Sequence, residues 1–233
     1  MDLQSDLPID AIRVARRFGS KWVLRGVSLR VHSGEVVGLL GANGSGKSTM
    51  LRILATLLRP NAGTASIYGH DVVSAADEVR RTVGILAHAP GLYDDLTARE
   101  NLRFAAEMSG LPTTDLGSLL GEVGLSEVAD ERVRGFSSGM QRRLAVARLM
   151  LRRPQLLLLD EPYSNLDSDG IVLMNSLISR TARGGGASLI VLHELAPASG
   201  ILDRTVTIVD GRIAKPEKPA SYRVPVSAAG AIS

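Results

Sequence analysis

Residues 41–49 read Gly41-Ala42-Asn43-Gly44-Ser45-Gly46-Lys47-Ser48-Thr49, which matches the pattern G-x-x-x-x-G-K-[ST] at every fixed position. An apolar run with strand character precedes this stretch at 36–40, and residues 48–58 follow it with the length and spacing of a helix. Strand, glycine loop and helix therefore occur in the required order. The stretch is predicted to be a phosphate-binding P-loop rather than an ordinary glycine-rich turn.

All nine residues of this loop are candidate contacts of a bound nucleotide. The glycines let successive backbone N–H groups point inward around the phosphates, and the positive end of the following helix favours the same negative charge. Lys47 is expected to reach the β- and γ-phosphates, and Ser48 is expected to supply a hydroxyl to Mg²⁺. Thr49 is the first residue able to cap the loop from within the helix.

Composition restricts the class of protein. The 233 residues suffice for one large or two small domains. No run approaches the ~18 consecutive apolar residues of a membrane helix, and the N-terminus carries Asp2 and Asp6 in place of a basic, then apolar, leader. The absence of cysteine excludes disulfides, cysteine-ligated zinc and thiol catalysis. We therefore expect a soluble, cytoplasmic protein that is not secreted.

Charge and aromatic content argue against a nucleic-acid partner. The formal net charge is only +3, and arginine is the common basic residue because only four lysines occur. Pairs such as Arg16-Arg17 and Arg152-Arg153 are therefore interpreted as solvated faces. Aromatic residues make up 3% of the chain and leave little surface for base stacking. No nucleic acid is expected to bind.

Hydrophobic spacing predicts strands on either side of a helical middle region. Strands are predicted at 9–14, 22–31, 36–40, 64–69, 83–86, 155–160, 188–192 and 205–209 with residue 213, the first two as a hairpin. Helices are predicted at 48–58, 74–81, 97–110, 116–123, 126–133, 137–153 and 168–182. Thr97 and Glu100 predict a capping box at the start of the 97–110 helix. Residues 215–233, rich in Pro, Ala and Ser, are expected to form a mobile tail.

A pair of carboxylates at 160 and 161 suggests hydrolysis as well as binding. Hydrolysis needs an acid that holds Mg²⁺ and a group that orients the attacking water. Asp160 ends an apolar run that does not alternate, which is typical of a strand buried on both faces, so its carboxylate is expected beside the phosphates. Glu161 lies in the turn before Pro162, where it can polarise water. A solvated acidic turn is the alternative interpretation.

The order and spacing of five motifs resemble those of an ATP-binding-cassette (ABC) ATPase. The motifs are 41–49, Phe136-Ser137-Ser138-Gly139-Met140-Gln141-Arg142-Arg143-Leu144, 156–161, Ser164-Asn165-Leu166-Asp167, and His193. The resemblance covers residues 9–213 and implies ATP and Mg²⁺ as cofactors. It also implies an α/β fold, namely a P-loop NTPase of ABC type with a RecA-like core sheet, an N-terminal antiparallel β subdomain and an α-helical subdomain.

The resemblance further implies the domain limits and the roles of individual residues. A single ABC ATPase domain is expected over 1–214, with β and core subdomains at 9–89 and 151–214 and a helical subdomain at 90–150. Glu161 and His193 would be catalytic, with His193 on the γ-phosphate, while Phe18 would stack on adenine unless it serves as core. The signature loop would be Ser137, Ser138, Gly139 and Met140, and Asp167 would be the D-loop acid at a dimer interface.

Three positions depart from the usual family pattern. The signature reads Phe-Ser-Ser-Gly-Met where Leu-Ser-Gly-Gly-Gln is common, so Ser138 replaces a glycine. His88 stands where the family usually has a glutamine that contacts Mg²⁺ or water. It is a candidate for either contact, or for a contact with a membrane partner. Asn165 stands in the D-loop where a small residue is usual.

The partners follow from the arrangement of such cassettes. The P-loop of one copy and the signature helix of another can enclose one ATP, so a second copy of this chain is expected in an ATP-sandwich dimer. With one cassette and no membrane helix, transport would require separate integral membrane subunits. The chain is expected at the cytoplasmic face of the cell membrane as a peripheral protein.

Three further stretches resemble the ATP-binding subunit of the haem exporter of cytochrome c maturation. They are 54–60, 91–102 and 160–163. Similar cassettes drive the efflux of drugs, lipids or polysaccharides, which is the alternative. A non-transport ABC ATPase is a further possibility, although such proteins usually carry two cassettes or a coiled-coil insertion, and no sustained heptad occurs here. Intact Lys47, Asp160, Glu161 and His193 argue against an inactive, nucleotide-gated clamp.

Overall fold

The computed structural model describes residues 7–214, which form ten strands and six α-helices. The strands are β1 (Ile9–Phe18), β2 (Lys21–Val31), β3 (Val36–Leu40), β4 (Ala62–Ile67), β5 (His70–Asp71), β6 (Val83–Leu86), β7 (Leu156–Asp160), β8 (Ala187–Val191), β9 (Arg204–Val209) and β10 (Arg212–Ile213). The helices are α1 (Lys47–Leu54), α2 (Ala76–Thr82), α3 (Ala98–Met108), α4 (Leu116–Glu122), α5 (Ser138–Arg152) and α6 (Ser168–Arg183). The predicted mobile tail at 215–233 lies outside the described residues.

A six-stranded sheet in the order β10-β9-β3-β8-β7-β6 forms the core. Its strands are parallel except for β10, which pairs antiparallel with β9. Every residue of β7 and β8 is buried, which explains why these strands do not alternate and, apart from Asp160 and Ser188, carry only apolar residues. Leu157 and Leu159 pack into the hydrophobic cluster on one face, whereas Leu156 and Leu158 pack into the cluster on the other.

The second sheet is antiparallel, in the order β2-β1-β4-β5. As predicted, β1 and β2 form a hairpin, whose register runs from Ile9 opposite Val31 to Phe18 opposite Lys21. The inward residues Val14, Leu24 and Val27 are fully buried and join the same cluster as α1. This packing holds the hairpin against the edge of the core where the P-loop begins.

The middle region contains helices joined by turns and no named strand among its described residues, in agreement with the predicted helical character. The capping box of α3 is confirmed, since Glu100 N–H donates to the Thr97 side chain and Thr97 N–H donates to the Glu100 carboxylate. The structure therefore combines a parallel core sheet, an antiparallel sheet and a helical part, which is the predicted α/β architecture. No helix within residues 7–214 has the length and apolar character needed to cross a membrane.

One predicted helix was too long, and another was wrong because it does not form. The helix after the P-loop ends at Leu54 and not near residue 58, because Thr56 adopts a φ of +63° and the N–H groups of Leu57 and Leu58 both donate to Arg52 O. Residues 126–133 form turns that lead into a short 3₁₀ helix at Val133–Gly135. The backbone there makes only short-range turn bonds with itself and also bonds the start of α3, since the N–H groups of Ala98 and Arg99 donate to the carbonyls of Glu131 and Ala129.

Candidate functional site

The P-loop connects the end of β3 to the start of α1. Lys47 is the first residue of α1 and is only 5% exposed. Its Nζ donates to Gly41 O at 2.6 Å and to Ala42 O at 3.0 Å, so the ammonium group closes the loop on itself. Ser45 Oγ is buried without a hydrogen-bond partner among the described residues. The loop thus holds a positive charge and a free hydroxyl inside a ring of backbone.

The β1–β2 hairpin lies directly against this loop. Leu24 Cδ2 is 2.6 Å from the position that a Cβ on Gly46 would occupy, and Val23 O is 3.1 Å from it. Phe18 stands at the tip of the same hairpin with 48% of its surface exposed, and the Arg16 guanidinium lies 4.8 Å from its ring centroid. The hairpin that contacts the P-loop therefore also carries an exposed aromatic ring that is available for a planar ligand, whereas a core role for Phe18 is excluded by its exposure.

Asp160 and Glu161 leave the core sheet at the end of β7. Asp160 is 8% exposed, and its Oδ1 has no hydrogen-bond partner among the described residues. A buried carboxylate oxygen without a partner is costly unless a cation or donor is supplied from elsewhere. Glu161 has a φ of +50°, and its N–H donates to Val191 O at 3.2 Å. This left-handed turn directs the backbone away from the strand immediately after Asp160.

Two histidines face the Glu161 carboxylate. His193 Nε2 lies 2.7 Å from Oε1, within hydrogen-bond distance, and His88 Nδ1 lies 3.7 Å from Oε2. His88 follows β6, Glu161 follows β7, His193 follows β8, and the P-loop follows β3. These four strands are consecutive in the sheet, in the order β3-β8-β7-β6. The P-loop, His88, Glu161 and His193 therefore lie at the carboxyl edge of the parallel sheet, where α/β proteins bind their ligands.

The predicted signature loop lies at the N-terminus of α5. Ser137 is the N-cap, and its Oγ accepts from Met140 N–H at 3.2 Å. Ser137 and Ser138 are exposed, so the positive end of the helix faces outward. A Cβ on Gly139 would lie 3.0 Å from Asn165 O, which gives a packing reason for glycine at that position. Asn165 itself has a φ of +63°, a conformation that asparagine tolerates better than most residues.

Asp167 connects the D-loop to the signature helix. Its carboxylate caps α6 by accepting from Gly170 N–H at 2.9 Å, and Arg143 of α5 lies 2.6 Å from the same oxygen. The Gly170 hydrogen bond, together with Arg143, lowers the pKa of Asp167 below its usual value. The aspartate therefore stays ionised at neutral pH and holds the start of α6 to the second turn of α5.

One buried residue of the site was missed by sequence reasoning. Arg142 is 5% exposed, and its guanidinium donates to Ala87 O at 2.8 Å, to Asp160 O at 3.1 Å and to Glu161 O. Arg142 therefore bonds the residue that precedes His88 as well as the turn that carries Glu161. A signal was present, since Arg142 shares its side of α5 with the buried residues Ala145 and Leu149 at helical spacing.

Comparison with known proteins supports the same interpretation. A model of the ABC transporter family matches residues 24–164. The chain is 42% identical over 183 residues to the cytochrome c biogenesis ATP-binding export protein CcmA of Xanthomonas axonopodis pv. citri, covering 78% of this chain and 85% of that protein. It is 38% identical over 209 residues to the Nod factor export ATP-binding protein I of Burkholderia lata, covering 88% of this chain and 69% of that protein.

A solved structure extends the agreement to three dimensions. The dimeric post-hydrolysis state of the ATP-binding cassette MJ0796, bound to ADP and Pi, matches with a TM-score of 0.79 and 26% identity over 90% of this chain and 97% of that chain. Given the P-loop, the carboxylates after β7 and relatives that match most of its length, the chain belongs to the ABC transporter family, as an ATP-binding subunit with the fold of an ATP-hydrolysing cassette.

Proposed function

We propose that Glu161 activates the water that attacks ATP and that His193 acts with it. The observation that carries this proposal is the position of the Glu161 carboxylate, which lies between His193 and His88 on the sheet edge that also carries the P-loop. A carboxylate there can accept a proton from water while Lys47 holds the phosphates. His193, at 2.7 Å, orients the carboxylate and can contact the γ-phosphate.

The donor set around Asp160 fits Mg²⁺. No cluster of three or more His, Asp or Glu suited to a metal ion occurs within residues 7–214. Mg²⁺ does not need one, because it usually binds through one or two carboxylates together with substrate phosphates and water. Asp160, whose Oδ1 is buried without a partner, and Ser48, in the first turn of α1, would hold the ion. When bound, Mg²⁺ would neutralise charge on the phosphates.

We propose that His88 contacts the attacking water. Its side chain is 75% exposed, and its nearest charged neighbour is Glu161 at 3.7 Å, a gap that leaves the imidazole free to bind a third group. A histidine nitrogen that accepts a hydrogen bond can replace the glutamine oxygen usual in the family. Contact with a membrane partner stays the alternative role for this residue.

The exposed signature helix supports an ATP-dependent dimer of two copies. The N-terminus of α5 faces outward at Ser137 and Ser138, so it can bind a phosphate presented by another copy. Adenine would stack on Phe18 of the copy that holds the P-loop. Asp167, exposed beside the same surface, would lie in the dimer interface. The dimeric state of the related cassette MJ0796 supports this arrangement.

Glu161→Gln tests hydrolysis and dimerisation together. We expect the variant to bind ATP, to hydrolyse it about 10²- to 10⁴-fold more slowly because general-base catalysis is lost, and to elute as a dimer with ATP and Mg²⁺. The matched control is Glu161→Gln combined with Lys47→Ala, which should stay monomeric because the phosphates are no longer held. Normal turnover in Glu161→Gln would refute the role of Glu161, and a persistent monomer would refute the sandwich.

We further propose that this subunit drives separate membrane subunits of an exporter at the cytoplasmic face of the membrane. A groove of about 560 Å³ beside β6 supports a docking role. It includes Leu57 and Met108, which are 62% and 73% exposed, together with Arg81 and Ile85. Exposed apolar side chains rimmed by arginines are typical of a protein interface. The helical part at 90–150, which supplies Met108, would act as the lever that carries dimer closure to the partner.

Haem export of the cytochrome c maturation type is the proposed cargo pathway, supported by the relative CcmA at 42% identity. Efflux of drugs, lipids or polysaccharides is the alternative, supported by the Nod factor exporter at 38% identity. A non-transport ATPase is a third possibility, for which neither of these relatives offers support.

Affinity capture from native cells separates these possibilities. Wild type should retain an integral membrane protein, Leu57→Glu with Met108→Glu should lose it, and Val172→Glu, an exposed position on α6, should keep it. Deleting the gene should lower covalently attached c-type haem if the cargo is haem. Unchanged c-type haem with altered drug sensitivity would support efflux, and no membrane partner in any sample would refute transport.

A further inference from the structure

The loop 87–91, which carries His88, is held at both ends by arginines of α5. Arg142 donates to Ala87 O at 2.8 Å at the start of the loop. Arg148 donates to Pro90 O at 2.7 Å and to Gly91 O at its end. The two arginines are six residues apart on one helix, and the bonded carbonyls belong to residues on either side of His88. One rigid element therefore sets the position of the loop.

Arg142 also holds the turn that carries Glu161. The guanidinium that reaches Ala87 O donates with its other terminal nitrogen to the carbonyls of Asp160 and Glu161. It is buried, and its Nε has no partner among the described residues. Burial lowers the pKa of Arg142 and of Arg148, so each cation is retained there at a cost in desolvation. The hydrogen bonds to the backbone carbonyls of the loop and the turn offset this desolvation cost.

We propose that Arg142 and Arg148 are positioning residues that keep the His88 loop and the Glu161 turn in register with the signature helix. This inference rests on the proposed hydrolytic role of Glu161. Because Ser137 caps the N-terminus of α5, the helix end that would contact the second copy's ATP and the two groups flanking the attacking water are fixed to one rigid body. A shift of α5 on dimer closure would move the loop and the Glu161 carboxylate together.

The geometry requires arginine at both positions. A guanidinium is a planar fork that can donate to several carbonyls at once, whereas a lysine ammonium is a point donor at the end of a flexible stem. For Arg142 the carbonyls belong to two separate segments, and for Arg148 they belong to the neighbouring residues Pro90 and Gly91. Replacement by lysine keeps the charge but breaks the simultaneous bonds. Loss of register by about 1 Å near the reacting atoms can lower the rate about 100-fold. Neither arginine contacts the P-loop in the described hydrogen bonds, so ATP binding should be spared.

The test compares Arg142→Lys and Arg148→Lys with Arg152→Lys in the full chain. Arg152 is the matched control, because it ends the same helix, is exposed, and donates to a carbonyl, Arg80 O at 2.6 Å, outside the site. We expect kcat to fall about 10- to 100-fold for Arg142→Lys and less for Arg148→Lys, with ATP affinity within about twofold of wild type. Arg152→Lys should match wild type in both quantities.

Hydrogen exchange separates positioning from a general loss of stability. Amides at 87–91 should exchange faster in Arg142→Lys and Arg148→Lys, while amides of the buried strand β8 should keep wild-type protection. Unchanged kcat in both variants, or equal loss of protection in the loop and in β8, would overturn the inference. If Glu161→Gln also turns over normally, the proposed hydrolytic site is what fails. If Glu161→Gln is inactive and both arginine variants are normal, only the positioning role fails.

Discussion

Gly46 is a position where alanine tests the contact between the P-loop and the hairpin. Gly46 has a φ of +112°, and a Cβ there would lie 2.6 Å from Leu24 Cδ2 and 3.1 Å from Val23 O. Gly44, two residues earlier in the same loop, has a φ of +76° but no atom within 4 Å of its would-be Cβ. Gly44→Ala therefore introduces backbone strain alone, whereas Gly46→Ala adds a collision with β2.

The expected loss of stability in each variant follows from the backbone strain and, for Gly46→Ala, the collision with Leu24. A non-glycine residue in the left-handed region costs about 1–2 kcal/mol, which both variants incur. Overpacking against the buried Leu24 side chain adds about 1–3 kcal/mol for Gly46→Ala. For a chain of this size, 1 kcal/mol lowers Tm by about 2–4 °C, so Gly46→Ala should melt about 2–12 °C below Gly44→Ala. If the hairpin is displaced, ATP affinity should fall by a further ~5- to 150-fold.

Thermal unfolding and equilibrium binding of a fluorescent ATP analogue measure both effects. Gly44→Ala serves as the matched control, because its backbone strain is of the same kind and its added methyl group meets open space. Equal Tm values and equal affinities in the two variants would falsify the claim that the hairpin presses on Gly46. A lower Tm with unchanged affinity would show that the contact stabilises the fold without shaping the nucleotide site.

Two further predictions concern the charges at the site. Lys47→Ala should lower ATP affinity by at least about tenfold with the fold retained, since a charge-assisted hydrogen bond contributes about 1.5–3 kcal/mol; unchanged affinity in a folded variant would refute the phosphate role. Because the folded-state pKa of Asp167 is lowered by Gly170 N–H and Arg143, its stabilising effect is complete above the unfolded value of about 4 and is lost as pH falls through the folded value. Asp167→Asn should therefore show a flatter dependence of Tm on pH below about pH 5, and parallel curves for the two proteins would contradict this account.

Local sequence determined those parts of the molecule that depend on short-range chemistry. The P-loop motif predicted the position of Lys47, the Thr97 and Glu100 pair predicted a capping box, and the unbroken apolar run before Asp160 predicted a buried strand. Each of these features is decided within a few residues, by φ preferences, side-chain caps or burial on both faces of a strand. The family resemblance extended them to the α/β fold and to the list of site residues.

Only the tertiary structure decided how distant segments meet. His88, Glu161 and His193 are separated by long stretches of sequence, and their meeting depends on the strand order β3-β8-β7-β6, which spacing does not reveal. The turns at 126–133 replaced a predicted helix because their carbonyls bond the start of α3. By residue type alone, nothing distinguishes Arg142 from the many other arginines of the chain. Its role follows from burial, since a guanidinium withdrawn from water must find carbonyl acceptors, and the acceptors it finds lie 55, 18 and 19 residues away, at Ala87, Asp160 and Glu161.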